Sequence, residues 1–164
     1  MLATASQGSG HPRCVILLVE DNARDIRITR EALRVSEIDA ELLIARDGEE
    51  ALRLLRQQPP HAAAPTPDLV FLDINLPGKN GREVLAEIKQ DEKLRMIPVL
   101  MLTTSAADSD LRACYQLHAN SYHRKPFDFD EFVALVRAVY DYWVRRAVPA
   151  PKLTALTESE RADG

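Results

Sequence analysis

Four short apolar runs, Cys14–Val19, 42–45, Leu69–Leu72 and 99–102, are uninterrupted by polar residues and stop abruptly at them. A strand that is apolar at every position has no face for water, so such runs predict a sheet covered by helices on both sides, hence a parallel one. Ser121–Arg124, just before Pro126, is a weaker fifth candidate. Between the runs the apolar spacing changes to the helical period, predicting helices over 22–35, 48–57, 81–91, 108–118 and 128–145. Three of these starts carry a cap residue with an acid three places on: Asp47 with Glu50, Asn80 with Glu83 and Asp128 with Glu131. Each pair predicts a capping box, and Asn22 with Asp25 is a weaker version of it. Strand and helix alternating five times over predict a doubly wound α/β fold.

The ends of the chain read differently. Residues 1–12 are rich in small and polar types and are expected to form a flexible lead. Residues 13–146 carry the folded domain, and 147–164 form a Pro-rich, then polar tail. The segment 57–67 reads as a surface loop. No charged and then apolar leader is present at the start, and no apolar run approaches the length of a membrane span. The net charge of -4 offers no footprint for nucleic acid or an anionic membrane. Cys14 and Cys114 are the two cysteines, too few for a disulfide framework or a thiolate zinc site. A soluble, cytoplasmic protein is expected. His11, His61, His118 and His123 are scattered without metal-ligand spacing.

Ligands of open α/β sheets gather at the carboxyl ends of the strands. The predicted strands end in Glu20-Asp21, Asp73, Thr103-Thr104 and Lys125-Pro126. Three carboxylates at one sheet edge repel, and a hard divalent cation such as Mg²⁺ neutralises them best with oxygen ligands. Asp21 and Asp73 would bind it directly and Glu20 through water, while the backbone carbonyl of Asn75 adds another oxygen. Asp73 can then act as a nucleophile toward a phosphoryl group. Lys125 and the Thr103 hydroxyl would neutralise charge on the transferred group. Taken singly, each residue has an ordinary explanation: a helix cap at Asp21, a turn at Asp73, solvated charge at Lys125. Their occurrence in order at four strand ends favours the joint site.

The segments Val19-Glu20-Asp21-Asn22, Phe71 to Gly81, Leu102-Thr103-Thr104-Ser105 and Tyr122 to Phe127 resemble the response-regulator receiver family, in order, over about residues 13–143. The resemblance implies a five-stranded parallel sheet of order 2-1-3-4-5, the flavodoxin-like, CheY-like receiver fold. It implies a phosphorelay switch: Asp73 accepts a phosphoryl group from the phospho-histidine of a sensor histidine kinase, with Glu20 and Asp21 as the acidic metal pair. Thr103 and Tyr122 become the switch pair, Lys125 contacts the phosphoryl group, and Lys125–Pro126 is expected to be cis. Such a protein is a signalling switch and not a turnover enzyme. Phosphorylation is expected to remodel the surface of the fourth helix, fifth strand and fifth helix. The Thr103-Thr104-Ser105 triplet, the segment from Gly81 to Lys89 and the ending Tyr140-Asp141-Tyr142-Trp143 further resemble the stand-alone receivers paired with phytochrome-type kinases. Asn80 and Thr104 depart from the commonest receiver pattern; Thr104, bulkier than the frequent Ala, narrows access to the phosphoryl group.

The predicted last helix carries more apolar residues than one stripe needs, from Phe129 to Trp143, which points to a homodimer through this helix and the C-terminal region. Other classes fit less well. A flavin or nucleotide module needs a phosphate cradle where Glu20-Asp21-Asn22 stands, and no G-x-G-x-x-G occurs. A haloacid-dehalogenase-like phosphatase needs a second Asp where Asn75 stands, and an amide cannot donate that proton. A degenerate receiver serving only as a binding module would not keep all five reactive residues.

Overall fold

The computed structural model describes residues 13–152; the predicted lead 1–12 and residues 153–164 of the predicted tail lie outside them. The strands are β1 (Cys14–Val19), β2 (Ala40–Ala45), β3 (Leu69–Leu72), β4 (Val99–Thr103) and β5 (Ser121–Arg124). The helices between and after them are α1 (Ala23–Val35), α2 (Gly48–Leu55), α3 (Gly81–Gln90), α4 (Asp108–Gln116) and α5 (Phe129–Tyr140). All pairings are parallel, in the order β2-β1-β3-β4-β5. The expected fold and strand order are therefore present.

Alternation along the central strands divides the interior in two. Leu17, Val19, Val70, Leu72, Val99 and Met101 face one layer with Leu52, Val84, Leu85 and Ile88 of α2 and α3. Ile16, Leu18, Leu69, Phe71, Leu100 and Leu102 face the other, with Ile26 and Leu33 of α1 and Phe132, Val133 and Val136 of α5. Side chains of period two feed both layers, which is why β1, β3 and β4 are buried at every position. The edge strands β2 and β5 are only half-buried along most of their length, so Glu41 and the polar Ser121–Arg124 segment are tolerated there.

The predicted residues cap these helix starts, but two of the three expected capping boxes are not closed. Asn80 and Glu83 form a reciprocal capping box. Asp47 accepts from the Glu50 N–H, but the Glu50 carboxylate accepts from Arg46 N–H, one residue further back. Asp128 accepts from Glu131 N–H without a bond in return.

A half-buried amine organises the approach to β4. Lys89 Nζ donates to Arg95 O, Ile97 O and Asn120 Oδ1, each at 3.0 Å. Asn120 Oδ1 also accepts from Val99 N–H at 2.9 Å. Burial pushes the Lys89 amine down to about 8. Beyond α5 the chain continues through a π-helical turn, Asp141–Arg146. It then returns to the opening of the sheet, where Lys152 Nζ meets Asp68 Oδ1 at 3.0 Å and Thr66 O at 3.1 Å.

Candidate functional site

The parallel ladder carries two acids past the formal strand ends. Glu20 N–H donates to Ala45 O at 2.9 Å and Asp73 N–H to Val19 O at 3.1 Å. Both carboxylates are thereby fixed by backbone and nearly shut from water, Glu20 at 2 % and Asp73 at 7 % exposure, whereas Asp21 stays exposed. Glu20, Asp21 and Asp73 each offer an oxygen within 4.8 Å of the others. They line a cavity of about 400 Å³ together with Asn75, Thr104 and Lys125.

Lys125 is anchored in the same way, its backbone N–H donating to Thr103 O at 2.8 Å. Its ammonium makes a close hydrogen bond to Glu20 Oε2, a second to Asp25 Oδ2 at 2.9 Å, and stands 3.7 Å from Asp73 Oδ2. Burial disfavours the ammonium, but Glu20, Asp73 and Asp25 outweigh it and raise the Lys125 pKa. At Glu20 burial prevails instead, and with the Asp73 charge it raises that carboxyl above its ordinary value against the pull of Lys125. One ammonium shared among these carboxylates leaves the cluster short of positive charge. An all-oxygen donor set in that condition fits a hard divalent cation.

The loop that follows Asp73 is tied down from below. Asp73 Oδ1 accepts from Ile74 N–H at 2.8 Å, and Ile74 O accepts from Gly81 N–H at 2.8 Å. Gly81 packs so tightly against this turn that any Cβ would lie 2.0 Å from Asp73 O.

Thr103 is fully buried, and its Oγ1 accepts from Ser105 N–H at 3.2 Å. Its neighbour Thr104 lines the cavity in its place. Tyr122 is half-buried and donates its hydroxyl to Ser105 O at 3.2 Å, so both residues converge on one backbone unit of the loop before α4. Burial raises the Tyr122 phenol.

Two expectations need correction. The cis peptide bond among the described residues is Pro59–Pro60, and Lys125–Pro126 is not cis. Asp25 does not close a capping box with Asn22. Asn22 Oδ1 accepts from the N–H groups of Arg24 and Asp25, but the Asn22 N–H donates to Glu20 Oε1 at 3.1 Å, leaving the Asp25 carboxylate to Lys125. The sequence reading missed Asp25 as a site residue because an acid in the first turn of a helix already has a sufficient role there.

The chain is 46% identical over 134 residues to the response regulator Rcp1 of Synechocystis sp., covering 82% of this chain and 91% of that protein. Its structure is similar to that of the phosphorylated cyanobacterial phytochrome response regulator RcpA, with a TM-score of 0.81, 43% identity, and coverage of 85% of this chain and 100% of that one. It is also similar to the Mn²⁺-bound form of Rcp1, with a TM-score of 0.78, 44% identity and the same coverage of 85% and 100%. The response regulator receiver domain matches residues 16–137, and the chain belongs to that family, whose members are signalling proteins of two-component systems.

Proposed function

We propose that Asp73 accepts a phosphoryl group from the phospho-histidine of a sensor kinase of the phytochrome type, and that the protein acts as a stand-alone cytoplasmic switch. The observation that carries this reading is the buried pair Glu20 and Asp73, facing Asp21 and Lys125 across one cavity. A carboxylate oxygen of Asp73 attacks phosphorus, the P–N bond breaks, and the imidazole leaves with the electron pair. Lys125 then turns from its carboxylates toward the new phosphoryl oxygens. Glu20, Asp21, Asp73 and the Asn75 carbonyl are the residues suited to hold Mg²⁺. Bound there, Mg²⁺ supplies the positive charge that the phosphoryl oxygens require.

Thr103 and Tyr122 form the switch in this reading. The Thr103 hydroxyl gives up Ser105 N–H for a phosphoryl oxygen, the Ser105 loop shifts, and Tyr122 loses its present acceptor and turns inward. The two states differ by the contacts they make to the phosphoryl group, and that difference drives the population shift. The similarity to the phytochrome response regulator RcpA supports the kinase class.

Mg²⁺ is expected to raise the melting temperature, by a margin that depends on pH. Without metal, the raised Glu20 pKa contributes stability that is fully present below the ordinary glutamate value and lost as pH rises through the folded value. Ionised Glu20 is the form that serves a metal, so the gap between melting curves in Mg²⁺ and in EDTA should widen as pH rises above the ordinary glutamate value. A gap independent of pH would count against Glu20 in the metal site.

A homodimer through the C-terminal region is part of this proposal. Phe132, Val133, Val136 and Val139 are taken up by the domain's own core, and Trp143 and Val144 pack against it. Exposed apolar surface remains at Phe127 and Phe129 before and at the start of the helix, at Val148 beyond it, and at Tyr142, which is 57% exposed and stacked edge-on against Trp143. Tyr142→Glu should shift sedimentation toward monomer with an unchanged far-UV spectrum. A sedimentation profile identical to wild type would remove this helix from the interface.

A further inference from the structure

Asp25 sits in the first turn of α1 and serves no cap, yet its carboxylate holds one of the three donors of the Lys125 ammonium. Glu20 holds another. The remaining anion within reach is Asp73 Oδ2, 3.7 Å away and too far for a hydrogen bond. The circuit is closed behind Asp25: its own N–H donates to Asn22 Oδ1, and Asn22 N–H donates to Glu20 Oε1. Lys125 thus rests between two carboxylates fixed by one short piece of backbone, with Asp73 left over.

From this geometry we propose that Asp25 is a positioning residue that holds the Lys125 ammonium on the α1 side of the cavity, off Asp73, and so keeps the acceptor carboxylate open. The proposal rests on Asp73 being the acceptor in a Mg²⁺ site. Without the Asp25 charge, the freed donor turns to the nearest unused anion, Asp73. A cation entering the site must then displace an ammonium committed to Glu20 and Asp73. Asp25 therefore acts on metal entry through Lys125 and not by touching the ion.

The test is Mg²⁺ affinity, measured by titration calorimetry on the full chain for wild type, Asp25→Asn, Lys125→Gln and the double variant. Asp25→Asn keeps the backbone N–H that Asn22 caps, so the start of α1 is retained. With Lys125 present, Asp25→Asn should weaken Mg²⁺ binding about fivefold, the range of a partly exposed ion pair. In the Lys125→Gln background the same change should matter by less than about twofold, because the residue through which Asp25 acts is gone. Equal losses in both backgrounds would show a bulk charge effect and overturn the positioning role, as would no loss in either. A wild-type chain that binds no Mg²⁺ would instead overturn the acceptor site itself, and the positioning role with it.

Discussion

Asp73→Asn is expected to abolish phosphoryl uptake from a small acyl-phosphate donor, by at least about a thousandfold, while making the Mg²⁺-free protein more stable. Loss of uptake follows because an amide oxygen is a poor nucleophile and cannot carry a stable phosphoryl group. The gain in stability follows from the burial of like charges. Asp73 stands against Glu20 in a site nearly closed to water, and its charge helps raise the Glu20 carboxyl. The amide oxygen can keep the Ile74 N–H bond, and Lys125 keeps Glu20 and Asp25. Removing one charge of the cluster should therefore add about 1 kcal/mol in EDTA. Intact mass spectrometry reads the first effect and a urea melt the second. Undiminished uptake by the variant would place the acceptor elsewhere; a loss of stability in EDTA would mean that repulsion does not govern this cluster.

Gly81→Ala is expected to lose both fold and site. A Cβ at this position would lie 2.0 Å from Asp73 O and 2.8 Å from Asp73 C and Ile74 Cα, all of them backbone atoms that cannot swing aside. The turn that presents Asp73 must open, breaking the Gly81 N–H bond to Ile74 O. Overpacking against backbone should cost about 3 kcal/mol or more, a large share of a small domain's stability. Gly78→Ala is the informative comparison. Gly78 has a φ of +69 with nothing within 4 Å, so an added Cβ strains the turn without a clash and should cost about 1 kcal/mol. Urea midpoints separate the two. Similar small losses would mean that the Gly81 turn yields easily and that its closeness to Asp73 does not matter.

Much of this molecule was legible in its sequence because burial on both faces leaves a strong signal. β1, β3 and β4 stand out as unbroken apolar runs, and the residues at their ends lie at one edge of the sheet. The apolar run begins two residues inside β2 because Glu41 interrupts it, and an edge strand accepts such a residue. The helices expected to reach 57 and 118 stop at Leu55 and Gln116 for a different reason. The residues there, Gln57 with φ 52 and His118 with φ 67, adopt the left-handed conformation that usually belongs to glycine, so no glycine marks the stop. At the site, Glu20, Asp21, Asp73 and Lys125 converge as their strand-end positions require. The orientation of Tyr122 toward Ser105, and of Asp25 toward Lys125, depends on side-chain choices between elements 17 and 100 residues apart. Local pattern carries no information about these.

The central claim is the identity of the acceptor, and the direct test is chemical trapping. The protein is treated with a small acyl-phosphate donor and Mg²⁺, reduced with borohydride, digested and sequenced by mass spectrometry. An aspartyl phosphate at Asp73 predicts homoserine in its place, and no such conversion when EDTA is present. Conversion at Asp21 or another carboxylate, or a Mg²⁺-independent signal, would contradict the account.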